Sequence, residues 1–252
     1  GACKLSQPTP SKWPAGYDLR SLSEVDSTMS EASRVLKGLA GPCWIYAQTQ
    51  TAARGRRGRA WSMPAGNFSA SLVLPRAGSP SDMGLRSFVA SLALYDAVKA
   101  LAPEAQLGLK WPNDVLLNGG KMAGILLETA GEALIIGIGV NLAHAPAASD
   151  VEEGAVRPVS LQAETAVTVL PEDFMGYLAE AFAVWEQRFS TYGFEPVREA
   201  WLSKAARLGE VIRARTMREE MHGTFETVDA QGHLVLTSAD GRVSIPAADV
   251  FF

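Results

Sequence analysis

From Leu107 to Asn141 the chain offers four strand-like segments with no helical pattern between them. The first, Leu107–Trp111, ends at Pro112, which has no N–H to give to a sheet ladder. Val115–Leu117 follows, then Asn118-Gly119, a dipeptide suited to the positive φ angles of a two-residue hairpin. Lys121–Glu128 returns, residues 129–132 turn, and Ala133–Asn141 is a further apolar strand. Strands joined by short turns rather than by helices run antiparallel. This stretch therefore sets the class as α+β, a mainly antiparallel sheet with packed helices, not a doubly wound parallel sheet. Gly137-Ile138-Gly139-Val140-Asn141 lacks the third glycine and the following helix of a dinucleotide fingerprint. Two placements stay open for the strand 133–141: a sheet edge that pairs between subunits in a homodimer, or a strand covered internally.

The rest of the chain fits around that meander. Residues 1–20 read as a loosely ordered lead-in. Thr28 and Glu31 match a capping box, with Ala32, Val35, Leu36 and Leu39 at helical spacing behind it. Trp44–Thr49 and the alternating Phe68–Leu74 are strands on either side of the loop Gln50–Trp61. After a turn at 78–82, Met83–Leu101 repeats apolar residues as a long core helix. Residues 144–158 read as a loop, Glu172–Phe189 as an amphipathic helix and Phe194–Ala206 as another. Beyond Gly209 come short strands at Glu210–Arg215, Gly223–Val228, His233–Ser238 and Val243–Pro246, a small barrel-like module. The division is 1–206 and 207–252.

Charge and cysteine usage remove several functions. The net charge is −4, and residues 207–252 hold five Arg against seven Asp or Glu, so neither DNA nor an anionic membrane is an expected partner. No apolar run approaches the roughly 20 residues that span a bilayer, and the polar, proline-rich start is unlike a secretory signal. Cys3 and Cys43 look unpaired, which points to a reducing, cytoplasmic setting. His144, His222 and His233 have no metal-site spacing, so no protein-held metal is expected.

Three stretches carry chemistry. Arg54-Gly55-Arg56-Arg57-Gly58-Arg59, followed by Ala60-Trp61, places four arginines within six residues. Guanidinium groups bind phosphate or carboxylate through paired, charge-assisted hydrogen bonds. Like charges make such a loop costly to hold when empty, so mobility is expected until an anion arrives. A solvated surface loop and a nucleic-acid contact are the competing readings of the cluster alone. Lys110-Trp111-Pro112-Asn113-Asp114 sets a cation, an amide and a carboxylate at a strand break. Lys121 opens a strand in Gly119-Gly120-Lys121-Met122-Ala123-Gly124-Ile125-Leu126-Leu127-Glu128. Ser27 and Thr28 sit at a helix N-terminus, where free N–H groups favour polar or anionic ligand atoms, or where they simply cap the helix.

Together these motifs, with Gly137-x-Gly139-x-Asn141 and in this order, resemble the catalytic domain of the biotin protein ligases. The resemblance covers residues 20–252 and implies a class II synthetase-like catalytic fold with a C-terminal SH3-like barrel. It implies ATP and Mg²⁺, biotin activated as biotinyl-5′-AMP, and transfer to a lysine of a biotin carboxyl carrier protein domain. By the match, Arg54, Gly55 and Arg56 close over biotin and the phosphates, and Lys121 bridges the biotin carboxyl and the α-phosphate. Ser27, Thr28, Gln50 and Gly124 fall at the biotin site. Trp61, Asn113 and Asn141 fall at the nucleotide, while Lys110 and Asp114 act near acyl transfer. Two departures stand out: Ala53 replaces the loop's first glycine, and Met29 stands where the family often has Asn. Only residues 1–20 precede the match, too few for a helix-turn-helix repressor domain, so no operator binding is expected. A lipoate or octanoate ligase or transferase, and a non-catalytic biotin- or RNA-binding module, are the alternatives.

Overall fold

A computed structural model of the chain describes residues 12–61, 63–147 and 150–252. Its larger sheet has seven strands: β1 (Asp18–Val25), β2 (Cys43–Gln50), β3 (Phe68–Leu74), β4 (Leu107–Lys110), β5 (Asp114–Leu117), β6 (Gly120–Ala130) and β7 (Ala133–Val140). They are ordered β1-β2-β3-β7-β6-β5-β4. The meander β4 to β7 is antiparallel throughout. Asn118 and Gly119 turn its middle hairpin with φ of +50° and +78°, the conformation their identities favour.

One expectation changes here and one open choice is settled. Asp18–Val25, taken in part as lead-in, is an edge strand. It is nearly all exposed, so it shows no apolar alternation; backbone pairing to β2 alone defines it. That pairing is parallel, which makes the sheet mixed. The open choice concerns β7, and it is the covered placement that is found. It is not an edge but lies between β3 and β6, buried along its whole length. The free-edge route to a homodimer through residues 133–141 is therefore closed by β3 and β6.

Both faces of the sheet are covered. Helices α2 (Pro80–Leu101), α4 (Pro171–Tyr192) and α5 (Phe194–Leu202) pack on one face, with Trp44, Tyr46, Leu72, Ile136 and Ile138 pointing at them. Helix α1 (Thr28–Val35) covers the other, sealing Met29 and Ala32 against Cys43, Ile45, Val73 and Ile135. The alternation along β2 thus sends Trp44 and Tyr46 to one layer and Cys43 and Ile45 to the other. A one-turn helix, α3 (Leu161–Thr165), precedes α4. Cys43 is fully buried; Cys3 lies outside the described residues. Among the described residues no helix is long and apolar enough to cross a membrane.

The C-terminal module is a five-stranded antiparallel sheet consistent with an SH3-like unit. Its strands are β8 (Val211–Arg215), β9 (Glu220–Val228), β10 (Leu234–Ser238), β11 (Gly241–Ile245) and β12 (Asp249–Phe251), ordered β11-β10-β9-β8-β12. The sequence showed four of them; β12 is three residues long and too short for a pattern. Phe225, Leu234, Leu236 and Ile245 join the same apolar cluster as the large sheet's helices. Trp111 donates its indole N–H to Gly232 O at 3.0 Å, and Arg198 donates to Val228 O at 2.6 Å. One core therefore fixes the module against the meander, and β12 comes to lie beside the arginine loop.

Candidate active site

A cavity of about 660 Å³ opens on the α1 side of the sheet. Its floor is β6 and β7, its inner end the N-terminus of α1, and its rim the arginine loop, residues 150–158 and β12.

At the inner end Ser27, not Thr28, caps α1. Its hydroxyl accepts from Ser30 N–H at 3.0 Å, one residue ahead of the expected capping box. Thr28 N–H donates to Gln50 Oε1 at 2.7 Å, and the Thr28 hydroxyl shares a 2.7 Å bond with that of Ser71. Gln50 in turn donates to Met63 Sδ at 3.3 Å. Ser27 and Thr28 are buried residues of the cavity wall. Met29 lines the same wall, with its thioether against Gly137, where a Cβ would come within 2.6 Å of the sulfur.

The floor depends on glycines. Trp61 lies flat enough on β7 that a Cβ at Gly139 would sit 2.6 Å from the indole nitrogen. Lys121 Nζ approaches the same ring, 5.4 Å from its centroid, a cation–π distance. Gly124, paired with Gly139 across the sheet, completes the platform. Asn141 closes the far end, buried, and accepts from Asn67 Nδ2 at 3.4 Å.

Two lysines share one carboxylate. Asp114 lies 3.1 Å from Lys121 Nζ and 3.8 Å from Lys110 Nζ. Burial pushes the Asp114 carboxyl up, but Lys121, then Lys110 and Arg56, outweigh it and hold it below the usual aspartate range. Burial acts the other way on Lys110, and its ammonium loses its proton more readily than an ordinary lysine despite Asp114. Asn113 is the site candidate that the structure puts elsewhere. It is not among the lining residues: its amide oxygen takes a short hydrogen bond from Ser87 on α2.

The arginine loop is not waiting for an anion; it already has several. Arg56 Nη2 donates to Asp249 Oδ1 at 2.9 Å, and Arg57 Nη1 donates to Oδ2 at 3.0 Å. Arg59 lies 3.7 Å from Asp249 and 3.6 Å from Glu152, and Arg54 lies 3.2 Å from Glu128. The like-charge repulsion expected of an empty loop is offset by these protein carboxylates. Arg57 adopts a left-handed φ of +56°, uncommon for a residue with a Cβ, where its guanidinium reaches Asp249. Burial raises the Asp249 carboxyl, but Arg215 and the loop arginines hold it below its ordinary range.

Such a site has cations enough to bring two anions together and hydroxyls enough to satisfy a polar head in an otherwise apolar end. The comparisons agree. The family described as Biotin/lipoate A/B protein ligase matches residues 22–141, and the Biotin protein ligase C terminal domain matches residues 208–252. A biotin--[acetyl-CoA-carboxylase] ligase of Paracoccus denitrificans is 55% identical over 92% of this chain and 99% of its own. The chain belongs to the biotin protein ligases. A second ligase of that name, from Mycobacterium tuberculosis, is 29% identical over 94% of this chain and 90% of its own. The fold of this ligase matches a biotin protein ligase from Aquifex aeolicus solved with biotin and ATP, at a TM-score of 0.79 and 24% identity. That match covers 92% of this chain and 97% of the other. A Leishmania major ligase solved with biotinyl-5-AMP matches at 0.65 and 25% identity, covering 93% and 100%.

In this ligase the cavity gathers Ser27, Thr28, Gln50, Arg54, Gly55, Arg56, Trp61, Lys110, Asp114, Lys121, Gly124 and Asn141 from elements far apart in sequence. Sequence reasoning missed Asp249, Arg215 and Glu152. Arg215 donates to Glu152 at 2.7 Å and to Asp249 at 3.2 Å, which ties β8, β12 and the loop 150–158 to the arginine loop. No local pattern marks these residues, because their partners are distant in the chain.

Proposed function

We propose that this enzyme activates biotin with ATP and transfers it to a carrier protein. In the first step a biotin carboxylate oxygen attacks the α-phosphorus, giving biotinyl-5′-AMP and releasing pyrophosphate. In the second, the amine of an acceptor lysine attacks the acyl carbon, AMP leaves and the amine loses a proton. The acceptor is the biotin carboxyl carrier domain of acetyl-CoA carboxylase. The observation that carries this reading is that Lys121, Arg56 and Trp61 share one cavity with the hydroxyl-lined pocket at Ser27 and Thr28.

A carboxylate and a triphosphate repel one another, and fixed cations remove most of that penalty without reorganising during reaction. Lys121 would bridge the carboxyl and the α-phosphate, with Arg54 and Arg56 over the phosphates and Gly55 allowing close backbone approach. Ser27, Thr28, Gln50 and the wall at Gly124 would receive biotin, whose polar head costs ~1–3 kcal/mol if left unpaired. Trp61 offers the adenine a face, and Asn141 offers its edge an amide. Asp114 would orient the acceptor amine. Its depressed pKa makes it a weak base, so its contribution is charge and position, and Lys121, then Lys110, keep it charged.

Among the described residues no group of three or more His, Cys, Asp or Glu could hold a metal ion. Mg²⁺ would enter with the triphosphate as part of the substrate, bound to phosphate oxygens and keeping several of its waters. We place the reaction in the cytoplasm, where ATP is available and a buried free thiol such as Cys43 stays reduced.

Pyrophosphate release with biotin and ATP tests the first step. Titration of biotin and of lipoate, each with a non-hydrolysable ATP analogue, tests the acyl group. Biotin binding that is absent for lipoate and weakened by Lys121→Ala and Arg56→Ala supports the reading. Lipoate binding in place of biotin, or neither, overturns it.

A further inference from the structure

Along β7, alternate residues face α1 and the cavity, and on that face the strand reads Ile135, Gly137, Gly139. Gly139 makes room for Trp61. Gly137 makes room for Met29, the residue that stands where the family often has Asn. A Cβ at Gly137 would lie 2.6 Å from the Met29 sulfur and 3.1 Å from its Cγ. Gly137 has no positive φ, so its backbone would accept a side chain and only the thioether stands in the way.

That thioether has one direction in which it can yield. Behind it Ala32, Cys43, Ile45, Val73 and Ile135 are sealed into one apolar cluster, none more than 1% exposed. The Met29 backbone is held in the first turn of α1, where Thr28 N–H donates to Gln50 and the Ser33 hydroxyl donates to Met29 O. Strand β7 is fixed on both sides, since Gly137 pairs with Ser71 of β3 and with Leu126 of β6. A close-packed interior transmits a displacement and does not absorb it. Whatever crowds Met29 therefore drives its thioether into the cavity.

The two walls at this end of the cavity differ in chemistry. Ser27, Thr28 and Gln50 offer hydrogen-bonding groups, while Met29, Leu126 and Gly137 offer a thioether, an aliphatic chain and bare backbone. Biotin is divided in the same way, a polar ureido ring fused to an apolar ring that carries sulfur. A methionine is flexible and polarizable enough to conform to such a ring. We propose that Met29, seated on Gly137, is a specificity-determining residue that sets the room for the sulfur-bearing ring. This rests on the ligase reading, which places the ureido ring at Ser27, Thr28 and Gln50. Positions 29 and 137 are then a matched pair in size: an atom added at one must be removed from the other.

The test is calorimetric titration of the full chain with biotin and with desthiobiotin, which keeps the ureido ring and lacks the sulfur. Gly137→Ala must push the thioether by roughly 1 Å to restore ordinary contact. It is expected to weaken biotin about tenfold and desthiobiotin less than about threefold. In the Met29→Ala background the same substitution is expected to cost less than about threefold, because the atoms it would crowd are gone. Met29→Ala alone is expected to lower the ratio of biotin to desthiobiotin affinity about threefold, and it carries the test should Gly137→Ala not fold. In pyrophosphate release at saturating biotin, the KM for ATP stays within about twofold of wild type for both variants, which a general loosening of the site would not spare. A loss from Gly137→Ala that persists undiminished with Met29→Ala overturns the proposal. So does an unchanged biotin-to-desthiobiotin ratio in folded Met29→Ala. Wild-type biotin binding is the separate control: its absence refutes the ligase reading and the inference with it, whereas with binding present the variants judge Met29 alone.

Discussion

Gly139→Ala isolates the contribution of the Trp61 platform. The residue has no positive φ, so alanine fits the backbone and only space matters. Its Cβ would lie 2.6, 2.7 and 2.9 Å from three indole atoms of Trp61. Carbon contacts are comfortable at about 3.5–4.0 Å, so the ring must retreat by roughly 1 Å. The strand cannot yield instead: β7 is buried and paired on both sides, at Ser69 and at Gly124. The ring sits on the arginine loop and can. Its retreat gives up the contact with Lys121, worth ~0.5–1 kcal/mol, so the fold loses about 1 kcal/mol. That is ~2–4 °C in Tm for a chain of this size. Nucleotide binding loses a stacking face worth ~0.5–1.5 kcal/mol, so the KM for ATP rises about three- to tenfold in the pyrophosphate-release assay. Gly124→Ala is the internal control. It meets Lys121 at 3.4 Å and Trp61 at 3.5 Å, contacts that need little movement, and its KM is expected to stay within about twofold of wild type. Equal damage from the two substitutions would refute the reasoning, as would a Gly139→Ala enzyme that unfolds easily yet binds ATP normally.

Four other outcomes follow from the same geometry. Lys121→Ala should lower the rate of pyrophosphate release by about 10²–10³, the usual effect of removing one preorganised charge stabiliser, with circular dichroism unchanged. Asp114→Asn should slow transfer from preformed biotinyl-5′-AMP more than it slows formation of that intermediate; equal effects would remove its role toward the acceptor amine. Asp114 and Asp249 both have carboxyls held below the ordinary 3.8, so the unfolded chain takes up their protons first as pH falls. The stability they supply is complete above about pH 4 and is lost as pH drops through their folded values; urea melts should show this, with a shallower loss for Asp249→Asn. Glu186→Ala should cost about 3 kcal/mol in urea denaturation, because it leaves Arg86, whose side chain is 9% exposed, without its carboxylate. The bonds from Arg86 to Ala77 O and Asp82 O keep the loss near the low end for a broken buried pair.

What could be read from the sequence depended on whether the information was local. The meander was legible because Asn118-Gly119 and Pro112 act within a few residues of themselves, and the observed strands follow those marks. Helix α4 was legible because it buries one face, and α2 because its long apolar stretch, buried without a break from Leu85 to Leu94, has the length of a helix and not of a strand. Strand β1 was not, since an exposed edge strand has no apolar period and exists only through its pairing with β2. The interior position of β7 was equally hidden: an apolar strand looks the same whether β3 covers its edge or a second subunit does. The cations of the site announced themselves as motifs, because the arginine loop and the strand-start lysine each sit in a short frame of glycines. Their counter-charges had no such frame. Asp249 lies 193 residues from Arg56 and is brought to it only because Trp111, Arg198 and Phe225 dock the module on the meander. A loop of four arginines read by itself looks unstable until ligand arrives. Read with Asp249, Glu152 and Glu128 it is already neutralised. Asp249 carries most of that load: it is held in β12 and pairs with Arg56, Arg57 and Arg59 at once.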